Sequence, residues 1–260
     1  MKPSLLLSFD VEEFDMPLEY GYPIEPERQL EIGYRGLQRI RPFLDLPDVR
    51  TTLFTTAHFA THYPDEIRNL ADRHEIASHT WHHSHFETSD LLNSRLRLEE
   101  ICGRPVTGLR MPRMRAIPMA DVSAAGYQYD ASLHPTWLPG RYNNLSSPRT
   151  IHREEGMLRL PASVSPMLRI PLFWLAFKNY PYHIYLHLVR RVLHTDGYAS
   201  LYCHPWEFTD VNGYQLPGYT IRGCSGWLLD RLYRLMDDLK DEADIMPMQA
   251  YLTRRAVGLE

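Results

Sequence analysis

The chain has 260 residues, 44% apolar and 12% aromatic, which allows one large core and argues against disorder. Its net charge of −4, its pI near 6.3 and its scattered basic residues argue against a nucleic-acid or anionic-membrane surface. The cysteines Cys102, Cys203 and Cys224 are odd in number and lack metal-type spacing, so they read as reduced thiols of a cytoplasmic protein.

In chain order, residues 4–9 (SLLLSF) read as a buried first strand, too short and too soon charged to be a signal-peptide core. Leu30, Leu37, Ile40, Phe43 and Leu44 recur at helical spacing before a second strand at 51–56. Pro64 opens a short helix to about residue 73, followed by a strand at 75–78 and a helix over 89–101. Further short strands are predicted at 106–109, 157–161, 198–203 and 245–246, with amphipathic helices at 183–193 and 227–239. The apolar stretch 170–177 is far below membrane-spanning length, so no membrane insertion is expected. This alternation predicts a single α/β domain over 1–260, a distorted (β/α) barrel of about seven strands completed by helices within 226–260.

Asp10, His79, Arg110 and His204 each fall near the C-terminal end of a predicted strand, the rim where parallel α/β barrels build their sites. His79 and His83 are four apart, and on a helical turn they would share a face and could bind one ion. Among 13 histidines such spacing also arises by chance in a loop, and His82 and His85 compete as ligands. The acidic segment 10–15 (DVEEFD) reads either as a solvated turn or as the carboxylate of a His-His-carboxylate site with open positions for water and substrate.

Five segments in order resemble the polysaccharide deacetylase family (carbohydrate esterase family 4), and more closely its branch linked to exopolysaccharide loci. They are 8–13 (SFDVEE), 73–83 (RHEIASHTWHH), 108–112 (GLRMP), 126–133 (GYQYDASL) and 201–207 (LYCHPWE), all within residues 5–208. The resemblance implies a distorted (β/α) barrel that hydrolyses N-acetyl groups on a carbohydrate substrate with zinc, or cobalt or a similar divalent ion. It implies Asp10 as general base, Arg110 holding Asp10, His204 as the acid that protonates the leaving amine, and Asp130 orienting His204. His79 and His83 would hold the metal with an acid of the first motif.

Where many relatives have Asp-Asp, this chain has Asp10 followed by Val11. Glu12 is taken as the ligand because it shares a side with Asp10 if the strand continues, while Glu13 or Asp15 would serve if the backbone turns. Residues 170–174 (IPLFW) replace a Gly-rich stretch of the branch, so the substrate groove is expected to differ. Arg113 and Arg115 could meet an anionic group of the substrate or stand solvated. Trp137 and Trp206 are assigned to sugar stacking or to ordinary core, and Pro112 to the substrate side of the third motif. A cyclic-amide hydrolase of allantoinase type and a catalytically weak carbohydrate-binding protein are the rival readings; the oligomeric state is not legible.

Overall fold

The structure, a computed structural model, describes residues 2–257. Eight consecutive buried residues form β1 (Ser4–Val11), followed by a single turn, α1 (Met16–Glu19). The long helix α2 (Pro26–Leu44) starts on a proline, whose missing N–H has no intrahelical partner to lose there. Next come β2 (Thr52–Thr55), α3 (Ala57–His62), α4 (Pro64–Ala71), β3 (Glu75–Ser78) and α5 (Ser89–Cys102). β4 (Gly108–Leu109), α6 (Met119–Ala124) and β5 (Tyr129–Asp130) follow, then the hairpin β6 (Trp137–Leu138) and β7 (Tyr142–Asn143). After β8 (His152–Glu154) and β9 (Met157–Arg159), the chain runs through α7 (Trp174–Asn179) and α8 (Tyr182–Asp196) into β10 (Tyr198–Cys203). α9 (Gly218–Ile221), α10 (Gly226–Leu239), β11 (Asp244–Ile245) and α11 (Met248–Val257) complete it.

The strands join in the order β10-β1-β2-β3-β4-β5-β9-β8, parallel except for the β8–β9 hairpin. β11 adds to β1 beside Ser4 and Leu5, below the point where β2 registers with Ser8. The result is the expected distorted (β/α) barrel. Among the described residues no ladder joins β9 to β10; Ser163 N–H donates to Ser200 O (2.9 Å), and Ser200 N–H to Ser163 Oγ (2.8 Å), across that gap. No helix of the described residues is long and apolar enough to cross a membrane, and the three cysteines are unpaired. The last three residues of the 226–260 span lie outside the described residues.

Strand periodicity places the site. Along β1, Leu5, Leu7, Phe9 and Val11 pack in the cluster that includes Leu37, Ile40 and Phe43 of α2, while Leu6 packs with Phe54, Ala77 and Tyr198. Ser8 and Asp10 share Leu6's face, so a buried carboxylate projects inside the barrel near the strand's end. α2 seals the other side at very short range. A side-chain carbon on Gly33 would lie 2.3 Å from Glu12 O, and one on Gly36 would lie 2.2 Å from Pro205 O. Both residues must therefore be glycine for the helix to lie against the two segments that present Glu12 and His204.

Candidate metal and hydrolytic site

The strand ends of β1, β3 and β10 and the residue after β4 bring Asp10, Glu12, His79, Arg110 and His204 together in the barrel mouth. Glu12 Oε2 lies 3.0 Å from His79 Nε2 and 3.2 Å from His83 Nε2. Four-coordinate zinc with bonds of ~2.0–2.1 Å implies ligand-to-ligand edges of roughly 3.3–3.4 Å, so this spacing already suits one ion. The remaining ring nitrogens are committed elsewhere: His79 Nδ1–H donates to Arg110 O (2.7 Å), and His83 Nδ1–H to Asp15 Oδ1 (2.6 Å). Such outer partners fix the tautomer that leaves each Nε2 with a lone pair for a metal. Glu12 Oε2 and His79 Nε2 are buried without a hydrogen-bond partner, an arrangement a cation between them would satisfy. The residues present therefore fit the divalent ion that the motifs imply.

The two histidines do not share a helical face. Residues 79–83 form a loop in which Thr80, a β-branched residue, takes φ 63°, a left-handed conformation that costs on the order of 1–3 kcal/mol. Ala57 N–H donates to Thr80 O and His58 N–H to Trp81 O, both at 2.9 Å, so the start of α3 holds the loop in this shape. The alternative acids have other partners. Asp15 accepts from His83 and from Arg113 Nη2 (2.9 Å), while Glu13 accepts from Thr56 Oγ1 (2.6 Å).

Arg110 Nη1 donates to Asp10 Oδ1 (2.5 Å) and Ser8 Oγ (3.0 Å), and its guanidinium lies over the Phe54 ring at 4.0 Å. Burial opposes the charge on Asp10, but Arg110, then His79 and His204, hold it below the ordinary carboxylate range. His204 Nε2 faces Asp10 Oδ2 at 3.9 Å and Glu12 Oε1 at 4.0 Å. Although burial favours the neutral ring, Glu12, Glu207 and Asp10 raise the His204 pKa above its usual value. For His83, burial is likewise outweighed by Glu12 and Asp15, which push it up to about 9. A metal ion would have to displace that proton, which couples binding to pH.

Asp130 does not contact His204. It pairs with Arg159 (2.7 Å) and accepts from the Ser132 backbone N–H (3.1 Å) and hydroxyl. The partner of His204 is Glu207: His204 Nδ1–H donates to Glu207 Oε1 at 2.9 Å, and the His204 backbone N–H donates to the same oxygen at 2.7 Å. Glu207 is held in turn by Lys178 Nζ at 2.6 Å, both side chains being 0% exposed. Lys178 also donates to Thr220 O (2.9 Å) and stands 4.8 Å from the Trp174 ring centroid. The local signal was the His-x-x-Glu spacing of 204–207 on the 3₁₀ turn Pro205–Phe208; Lys178 on α7 had none.

The substrate-side residues also divide. Trp206 is 1% exposed, packed against Phe14, Trp174 and His204, and its indole N–H donates to Glu12 Oε1 (3.2 Å). It is thus a support for the carboxylate rather than a sugar platform. Pro112 is buried in its 3₁₀ turn and does not line the cavity, whereas Trp137 stands 58% exposed on the hairpin. A cavity of about 270 Å³ is lined by Asp10, Glu12, His79, His83 and His204 together with Met111, Tyr142, Phe173, Trp174 and Tyr202. Phe173 and Trp174 come from the apolar stretch 170–174. Arg113 lines the cavity too, but it is spent on Asp15, Glu19 and His83 O, and Arg115 lies over Phe86.

A curled parallel sheet thus carries a His-His-carboxylate cluster beside a buried Asp-Arg pair at the ends of its strands. Residues 31–129 match the sequence profile of the family described as polysaccharide deacetylase, a span that holds the 73–83 and 108–112 motifs. That segment contains His79, His83 and Arg110 but neither Asp10 and Glu12 nor His204. No curated protein matches the chain. Among solved structures, a candidate polysaccharide deacetylase from Mycobacterium smegmatis superposes with a TM-score of 0.67 at 17% identity, over 99% of this chain and 91% of that one. A candidate polysaccharide deacetylase from Pseudomonas aeruginosa PAO1 gives 0.62 at 14% identity, covering 94% and 86%. The Puue allantoinase gives 0.60 at 17% identity, again covering 94% and 86%. At these identities the superpositions speak for the fold.

Proposed function

We propose that this chain is a metal-dependent amide hydrolase that removes the acetyl group from an amino sugar of a glycan or glycan precursor. The observation that carries the reading is the buried, unpartnered pair Glu12 Oε2 and His79 Nε2, facing His83 Nε2, with both rings held by outer hydrogen bonds. Glu12, His79 and His83 would hold the ion, zinc by the donor set, with cobalt as a substitute. When bound, such an ion lowers the pKa of water and polarises the amide carbonyl. Asp10, kept ionised by Arg110, accepts the proton of the attacking water. His204, with its pKa raised, donates a proton to the departing amine, and Glu207 holds the ring in the tautomer that carries hydrogen on Nδ1. The cavity's aromatic wall, with Tyr142, Phe173, Trp174 and Tyr202, suits the apolar face of an amino-sugar ring.

The same cavity supports a second reading, hydrolysis of a small cyclic amide or ureide. Acetate release from N-acetylated amino sugars, measured beside turnover of allantoin, separates the two. Chelation should abolish acetate release, and Zn²⁺ or Co²⁺ should restore it; activity indifferent to metal sinks the mechanism. His79→Ala should lose bound metal, whereas Asp10→Asn should keep the metal and lose rate. Wild-type amide turnover by His204→Ala would refute its role as the acid.

A further inference from the structure

We infer that Glu13, His58 and His82 form a second divalent-cation site, distinct from the cluster at Glu12, His79 and His83. One ligand atom from each of the three lies within 4.8 Å of the other two. Consecutive residues, 12 and 13 in one segment and 82 and 83 in the other, feed different clusters, and none of these three lines the central cavity.

The chemistry of each donor suits an ion. Glu13 is buried with Oε2 engaged by the Thr56 hydroxyl, while its Oε1 stands 3.7 Å from His82 Nδ1, too far for a hydrogen bond. His58 lies on α3, and its ring centroid is 4.5 Å from that of His82 and 4.5 Å from that of His62 one helical turn on. Two imidazoles and one carboxylate select zinc or another borderline transition ion over calcium or magnesium.

The location gives such an ion a structural effect. The 79–83 loop is already tied to α3 through the backbone bonds of Ala57 and His58. An ion joining His58 to His82 and Glu13 would add a side-chain tie across the same junction, next to the residues that present His83 and Glu12. The inference is independent of the deacetylase reading, because it concerns a different donor set.

The test is a titration of metal-stripped full-length protein with Zn²⁺, followed by calorimetry and elemental analysis. Wild type should take two ions per chain; His58→Ala and Glu13→Gln should each take one, and His79→Ala should also take one. His58 is partly exposed, so its alanine variant is expected to fold. A wild-type ion count that His58→Ala and Glu13→Gln leave unchanged overturns the inference, and so does loss of both ions in either histidine variant. Acetate release is recorded separately, so a protein that binds two ions but hydrolyses nothing rejects only the proposed activity.

Discussion

Lys178→Met isolates the energetics beneath His204. The Lys178 and Glu207 side chains are 2.6 Å apart and wholly buried. At an effective dielectric of about 20 their attraction is about 6 kcal/mol, comparable with the several kcal/mol each ion loses on leaving water. The intact pair therefore contributes little net stability, but methionine removes the attraction and leaves Glu207 Oε2 buried without a partner, while Oε1 keeps its bonds from His204. The expected cost is about 3–5 kcal/mol. Urea unfolding reads this directly, and a fall in Tm on the order of 10 °C should accompany it. Adding Glu207→Gln to Lys178→Met should recover more than half of the loss, because no buried charge then lacks a partner. A cost under about 1 kcal/mol for Lys178→Met, or additive losses in the double variant, would refute the reasoning. The pH dependence has two edges. Glu207 is depressed below 4.5, so its contribution is complete above that pH and fades as pH falls through the folded value. Lys178 is raised above 10.5, so its contribution is complete below that pH and is lost as pH rises through the folded value.

Three further outcomes are expected. Glu207→Gln removes a group that raises the His204 pKa, so the alkaline limb of the kcat/KM profile should move to lower pH; an unmoved limb would separate Glu207 from catalysis. Asp15→Asn weakens the acceptor behind His83 and should reduce metal affinity by roughly 10–100-fold in a competitive chelator titration. Gly36→Ala forces a carbon to 2.2 Å from Pro205 O, so α2 or the 205–208 turn must shift. Its expected cost is about 1–3 kcal/mol in urea unfolding, with a drop in kcat because His204 rides on that turn.

Much of the frame is legible along the chain. Buried runs mark β1, β2, β3 and β10, and the spacing of Leu37, Ile40 and Phe43 marks α2, because both periodicities follow from local backbone geometry. Short elements such as α3, α7 and the β6–β7 hairpin escape, since one or two turns carry too few residues to show a period. α11 follows Pro247, a helix-start signal that stands in the sequence itself.

The opposite limit appears at the site. The sequence by itself determined which reactive residues stand at strand ends, and therefore that Asp10, His79, Arg110 and His204 converge on one rim. Glu12 faces His79 and His83, yet Glu13, one residue on, joins His58 and His82. Only the tertiary structure decided that division, because past a strand end the loop backbone, here with Thr80 at φ 63°, sets where a side chain points. It likewise put Glu207 rather than Asp130 on His204, and turned Trp206 inward onto Glu12. Lys178, from a helix distant in sequence, completes the buried pair, and no local pattern encodes a contact that only burial and charge neutralisation require.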